Sequence, residues 1–155
     1  MMLGLVLGAL LSATDPNAAW AKLSGLEGHW VAKTAKGKEV SLRFRFTSRQ
    51  TVLIEDYLVG TTDTMTVFHR DGATIVATHY CAQGNQPRLS LDAEGSTAST
   101  LRFTFRDATN LSGPDASRLV TLVLEFVDAS HLRMTETYEE AKKPDVTTLE
   151  FTKQK

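Results

Sequence analysis

The densest chemistry in this chain lies in eleven residues, Thr78-His79-Tyr80-Cys81-Ala82-Gln83-Gly84-Asn85-Gln86-Pro87-Arg88. They hold its single cysteine, one of its four histidines, a phenol and a run of amide and guanidinium donors. His79, Cys81, Asn85, Gln86 and Arg88 are the candidates to fix the polar end of a bound molecule, because a guanidinium forks onto a carboxylate and an amide both donates and accepts. His79 and Cys81 stand two apart and share a strand face, the spacing a thiol nucleophile and its base would need. No thiol-hydrolase motif surrounds them, so no catalytic residue is assigned. Two carboxylates join the inventory. Glu136 is in phase with Leu132, Met134 and Tyr138, which would bury it and raise its pKa if nothing paired with it; Glu55, alternating with Asp56, is a weaker case of the same pattern. With Trp30, the candidate ligand-binding set is His79, Tyr80, Cys81, Asn85, Gln86, Arg88 and Glu136.

Each of these residues also has a plainer reading. Gly84-Asn85-Gln86-Pro87 is what a demanding turn needs, with Arg88 bracing it through backbone carbonyls, and lone cysteines are commonly small buried hydrophobes. Alternation in the strand Ala73 to Ala82 leaves two inward faces open: Ile75, Ala77, His79 and Cys81, or Val76, Thr78 and Tyr80. Apolar content does not choose between them.

The elements that position these residues follow from periodicity. Val40, Leu42, Phe44 and Phe46 alternate with Ser41, Arg43, Arg45 and Thr47, a strand with aromatics on one face and guanidiniums on the other. Strands are expected at Leu26–Trp30, Thr51–Val59, Asp63–Arg70, Ala73–Ala82, Leu89–Leu91, Leu101–Phe105, Leu122–Phe126, Leu132–Tyr138 and Val146–Thr152. Asp71-Gly72 reads as a two-residue type I′ turn, pairing Arg70 with Ala73. That register separates His69 from His79 by roughly 16 Å, too far for a shared metal with Cys81. Asp107–Ser117 is the longest loop, and Lys142-Lys143-Pro144-Asp145 the last turn. Ahead of the strands, Asp15 caps a short helix with Pro16 at its first position, ended by Gly25. The fold class expected is all-β: an antiparallel up-and-down barrel of about ten strands with a short N-terminal helix. Such a barrel is wider than its own side chains readily fill, so an internal cavity is expected.

Composition bounds the partners. With 155 residues the chain suits one domain, and 17 basic against 18 acidic side chains leave no field to attract nucleic acid or an acidic membrane. The apolar run Leu3–Leu11 is too short to span a bilayer and has the length of a secretory leader core, with small residues near Ala13 and Ala19-Trp20-Ala21. Residues 1–14 are therefore expected to be a leader, residues 15–155 the single domain, and the mature protein exported without membrane insertion.

The opening helix, the Leu-x-Gly-x-Trp strand at Leu26–Trp30 and the meander resemble the calycin superfamily, the lipocalins and their relatives. Thr78–Arg88, with Asp107-Ala108-Thr109-Asn110-Leu111 downstream, is similar to a family of uncharacterised, commonly exported bacterial proteins. That resemblance implies a fold and a compartment but no activity. The Arg-x-Tyr carboxylate site of fatty-acid-binding proteins is absent from Thr148-Leu149-Glu150-Phe151-Thr152, and the last histidine, His131, falls in a turn, unlike the haem ligand of nitrobindin-like barrels. No cofactor and no metal are implied. The function expected is binding of a small hydrophobic molecule with a polar end inside the barrel. The alternatives are a structural or protein-interaction barrel filled by its phenylalanines, or an enzyme using Cys81 and His79 or a buried carboxylate.

Overall fold

The computed structural model describes residues 13–155, so the leader expected over residues 1–14 lies almost wholly outside the described residues. The helix α1 (Pro16–Ser24) starts as its sequence dictates: Asp15 accepts a hydrogen bond from the Asn17 backbone N–H at 3.2 Å, and Pro16 takes the first turn. It buries Ala19 and Leu23, sets Trp20 edge-on to Phe46 at 6.3 Å, and covers one end of the sheet.

Ten strands follow: β1 (Gly28–Lys33), β2 (Glu39–Thr47), β3 (Val52–Val59), β4 (Thr62–Asp71), β5 (Thr74–Tyr80), β6 (Gln86–Leu91), β7 (Thr100–Thr109), β8 (Arg118–Phe126), β9 (His131–Glu140) and β10 (Lys143–Lys153). Each pairs antiparallel with its sequence neighbour, and β10 returns to β1 to close a barrel. This is the architecture the alternation implies. Local hairpins need no long crossover, and closure leaves few free edges. The closing seam is short. Among the described residues β1 meets β10 only at Trp30↔Lys153 and Val31↔Thr152, so most of β10 has no partner on that side.

The inward faces of the helix-side half are apolar and packed. Trp30, Phe44, Phe68, Phe103 and Phe151 are fully buried with Leu42, Leu53, Ile75, Leu89 and Leu101, and Phe68 meets Phe103 edge-to-face at 5.6 Å. Burying each such side chain contributes about 1.5–3 kcal/mol. The aromatics therefore fill this half.

Three registers differ from expectation. The β4–β5 turn is centred on Gly72 and Ala73, with Asp71↔Thr74 and Thr66↔His79. Only Gly72 of the two central residues has positive φ, at 58°, which suits a type II′ turn and lets Asp71 remain in the strand. The last hairpin turns at Ala141 and Lys142, both at positive φ, so Lys143, Pro144 and Asp145 already belong to β10. Pro144 is tolerated there because that stretch of β10 is unpaired toward β1. β7 runs on to Thr109 because Asp107, Ala108 and Thr109 pair with Arg88, Pro87 and Gln86 after a bulge, which shortens the expected loop. The first strand also begins later, at Gly28, because Leu26 lies in the bend whose carbonyl accepts the Trp30 indole N–H at 2.7 Å.

Candidate functional site at the open end of the barrel

Beyond the aromatic half, the barrel interior becomes polar. Glu55, Thr66 and His79 sit side by side on β3, β4 and β5, each the direct cross-strand partner of the next. All three are buried. From the opposite wall β9 contributes Glu136 and Tyr138, two residues apart and on the same face. The faces of β5 are thereby settled: His79 points in with Ile75 and Ala77, while Tyr80 lies outside with 44% of its surface exposed.

Hydrogen bonds join the two walls. His79 Nδ1 lies 3.1 Å from Thr66 Oγ1, and His79 Nε2 lies 3.0 Å from the Tyr138 hydroxyl. Thr66 is also the cross-strand neighbour of Glu55. A neutral imidazole donates through one nitrogen and accepts through the other, so the chain Thr66–His79–Tyr138 carries its protons in a single direction at a time. Burial lowers His79 to about 4, which keeps the ring neutral at pH 7.

The carboxyls respond to the same environment with the opposite sign. Burial, reinforced by Glu136, pushes Glu55 up to about 8. Burial raises Glu136 to about 7, although it keeps some solvent contact. Tyr57, which pairs with Thr64 and shares the inward face of Glu55, is raised to about 12 by burial and then by the two glutamates. Burial, then Glu136, also raises the Tyr138 phenol. One atom in the group is unsatisfied: Glu55 Oε2 is buried with no hydrogen-bond partner. Buried polar atoms are rarely left so, which marks this one for an explanation.

Above the polar group lies a cleft of about 660 Å³, lined by Gln83, Ser117, Tyr138, Glu140, Ala141, Lys143, Pro144, Asp145 and Thr147. It adjoins the polar group through one lining residue. Tyr138 is common to both, and Thr147 and Asp145 pair across the strands with Glu136 and Tyr138.

The other sequence candidates separate from this group. Trp30 is buried at the helix-covered end, with Lys153 Nζ 5.2 Å above its ring. Arg88 lies outside the barrel, where both branches of its guanidinium reach Asp107. Cys81 is half-buried and starts the β5–β6 loop: its N–H donates to the Asn85 carbonyl and its carbonyl accepts from the Gly84 N–H. Asn85 is buried and donates to the Ser117 carbonyl at 2.9 Å, tying this loop to the next one at the mouth. Gln86 accepts from Thr109 Oγ1, and Asn110 Nδ2 donates to the Gly84 carbonyl at 2.6 Å. The two sequence segments Thr78–Arg88 and Asp107–Leu111 are thus laced together as neighbouring strands and loops. Thr66 was missed by sequence reasoning. Its only signal was its place opposite the histidine, which depended on the hairpin register. Among the described residues no three His, Cys, Asp or Glu side chains gather as metal ligands.

No family model matches the chain, and no curated protein matches it. Among solved structures, it is similar to a protein of unknown function from the DUF3598 family of Nostoc punctiforme, with a TM-score of 0.55 and 10% identity. The match covers 85% of this chain and 49% of that one, so this chain spans about half the length of the protein it matches. At that identity the likeness concerns the fold alone.

Proposed function

We propose that this barrel binds a small, largely apolar molecule whose polar end enters first, past Tyr138, toward Glu136 and His79. The observation that carries this reading is a cleft one of whose lining residues, Tyr138, is hydrogen-bonded to a buried histidine, which shares its cross-strand partner Thr66 with an unsatisfied buried carboxyl. A concavity of more than about 300 Å³ has room for a small ligand; this one is lined mainly by polar and charged side chains, and a solid structural barrel would have no use for a costly buried carboxyl close to an open mouth. The packed aromatic half forms the base of the site, so the ligand's apolar part lies toward the rim, over Ala141 and Pro144.

The relation to lipocalin-like barrels belongs to the same reading. It is supported by the ten-strand meander, the opening helix and the Trp30 indole closing on Leu26. Export is proposed from the apolar run Leu3–Leu11; N-terminal sequencing of the mature protein tests it, and an intact Met1 would refute it.

The test of binding is native mass spectrometry of freshly purified protein before and after organic extraction. A removable mass excess supports the reading and gives the ligand's class. A bare chain mass that stays bare after incubation with a lipid and metabolite panel refutes it and favours the filled structural barrel.

A further inference from the structure

The lumen's charge is one-sided. Glu55 on β3 and Glu136 on β9 act on each other electrostatically across the interior. Asp145, the cross-strand partner of Tyr138, adds a third carboxyl at the mouth, where Glu140 and Lys143 also stand. No lysine or arginine is among the buried side chains of the described residues. The other titratable groups facing this space are Tyr57 on β3, His79 on β5 with Cys81 just beyond it, and Tyr138 on β9; none supplies a positive charge at pH 7. Buried carboxyls in folded proteins are ordinarily paired with a cation or fully hydrogen-bonded, and here Glu55 Oε2 has neither.

We infer that the polar end this barrel takes is a cationic nitrogen, a primary or secondary ammonium, held between Glu136 and Glu55 and faced by the rings of Tyr57 and Tyr138. This rests on the binding reading above and names the chemistry of its polar end. A primary ammonium has three donors, a secondary one two, and neither has an acceptor, which suits two carboxylates, a phenol oxygen and aromatic faces. A carboxylate or phosphate would bring its negative charge beside two acids with no buried cation to receive it, and would oppose their ionisation. An alcohol would satisfy Glu55 Oε2 without neutralising either glutamate.

The arrangement also dictates a proton balance. Without ligand, the two glutamates hold protons near neutral pH because neither has a counter-ion. An ammonium between them favours both carboxylates, so binding releases protons to the buffer: the N–H bonds remain, and each carboxyl O–H that opens gives its proton to the solvent.

The experiment compares octylamine, octanoate and octan-1-ol by titration calorimetry on the full chain at pH 6.5, where both glutamates hold most of their protons, in two buffers of different ionisation enthalpy. The expected result is octylamine binding at least tenfold tighter than the other two, with net proton release. Glu136→Gln should weaken octylamine at least tenfold and lower the number of protons released, while its far-ultraviolet circular dichroism confirms the barrel. Glu55→Gln provides the same test from the opposite wall. Octanoate or octanol binding as tightly as octylamine, or octylamine binding without proton release, would overturn the cationic assignment and leave the binding reading standing. Binding of none of the three, together with a bare native mass, would overturn both.

Discussion

The phenol of Tyr138 on β9 meets His79 Nε2 on β5 at 3.0 Å, across a lumen whose wall between them consists of three further strands. Neither residue is near the other in sequence, and each lies on a strand whose remaining inward residues are mostly apolar. The bond therefore fixes the width of the polar half and holds the imidazole ring between Thr66 and Tyr138. It also places the only phenol of the cleft lining where an entering group meets it first.

Removing that phenol isolates the effect. Tyr138→Phe keeps the ring and its packing but leaves His79 Nε2 without its partner, which should cost about 1–2 kcal/mol of stability. Thr66→Val removes the partner of Nδ1 and should cost a similar amount. Because both act on one imidazole, the double variant should lose less than the sum, measured by urea unfolding. Strict additivity would show that the ring nitrogens are not held jointly.

The buried acids set a pH dependence whose direction is fixed by their raised values. A glutamate of the unfolded chain titrates near 4.5, whereas Glu55 titrates near 8 and Glu136 near 7, so between these limits the folded state holds more protons and stability falls as pH rises. His79 works the other way. Its value falls from 6.5 to about 4, so its contribution is complete above 6.5 and is lost as pH drops toward 4. From pH 6.5 to 8.5 only the glutamates act, and the unfolding midpoint of the ligand-free protein should decline across that window. Glu55→Gln should remove most of the decline and stabilise the protein at pH 8.5 by roughly 2 kcal/mol or more. A wild-type profile flat over that window would show that Glu55 is ionised or paired.

What was legible beforehand divides along physical lines. The alternation of Val40, Leu42, Phe44 and Phe46 reports a half-buried strand directly, and the phase of Glu136 with Leu132 and Met134 placed a carboxyl inside, where burial does raise it. The partnership of His79 with Thr66 was not legible, because it depends on whether Gly72 occupies the first or second central position of its turn. That choice moves the pairing by two residues and keeps every face unchanged, so the hydrophobic pattern is blind to it. The contact of His79 with Tyr138 was further out of reach, since it needs the barrel to close. Arg88, by contrast, was one of the ligand-anchor candidates and stands outside the lumen, because it alternates on β6 with the buried Pro87 and Leu89. A donor-rich motif specifies what a residue is able to bind, whereas strand parity decides which side of the wall it faces.

The mouth loops give a prediction that separates backbone from side chain. Asn110 has positive φ, at 56°, and its amide supports Gly84, whose own φ is 85°. Asn110→Gly should keep the backbone and lose only the hydrogen bond, whereas Asn110→Ala loses the bond and strains the turn, so alanine should be the more destabilising by about 1 kcal/mol. Gly84→Ala has room for its methyl, the nearest atom being 3.9 Å away, and should cost only the conformational strain, about 1 kcal/mol. Equal effects of glycine and alanine at position 110 would mean that the side-chain bond alone matters.

The last prediction sets the outer cation against the inner acid. Arg88 and Asp107 are exposed, their guanidinium–carboxylate fork is screened by water, and surface pairs of this kind contribute little. Arg88→Ala should leave the unfolding midpoint near that of the wild type, and it should leave the affinity for octylamine unchanged, because Arg88 faces away from the lumen. Glu136→Gln should reverse both results: it removes a half-buried acid whose opposition to folding builds from pH 4.5 and is complete above pH 7, so the ligand-free midpoint rises while the affinity for the amine falls. Measured side by side at pH 7.5, the two variants distinguish an anchor inside the barrel from one on its wall. If Arg88→Ala weakened octylamine binding and Glu136→Gln did not, the amine would have to sit outside the lumen, against the β6–β7 surface beside Asp107, and the placement between the two glutamates would fail.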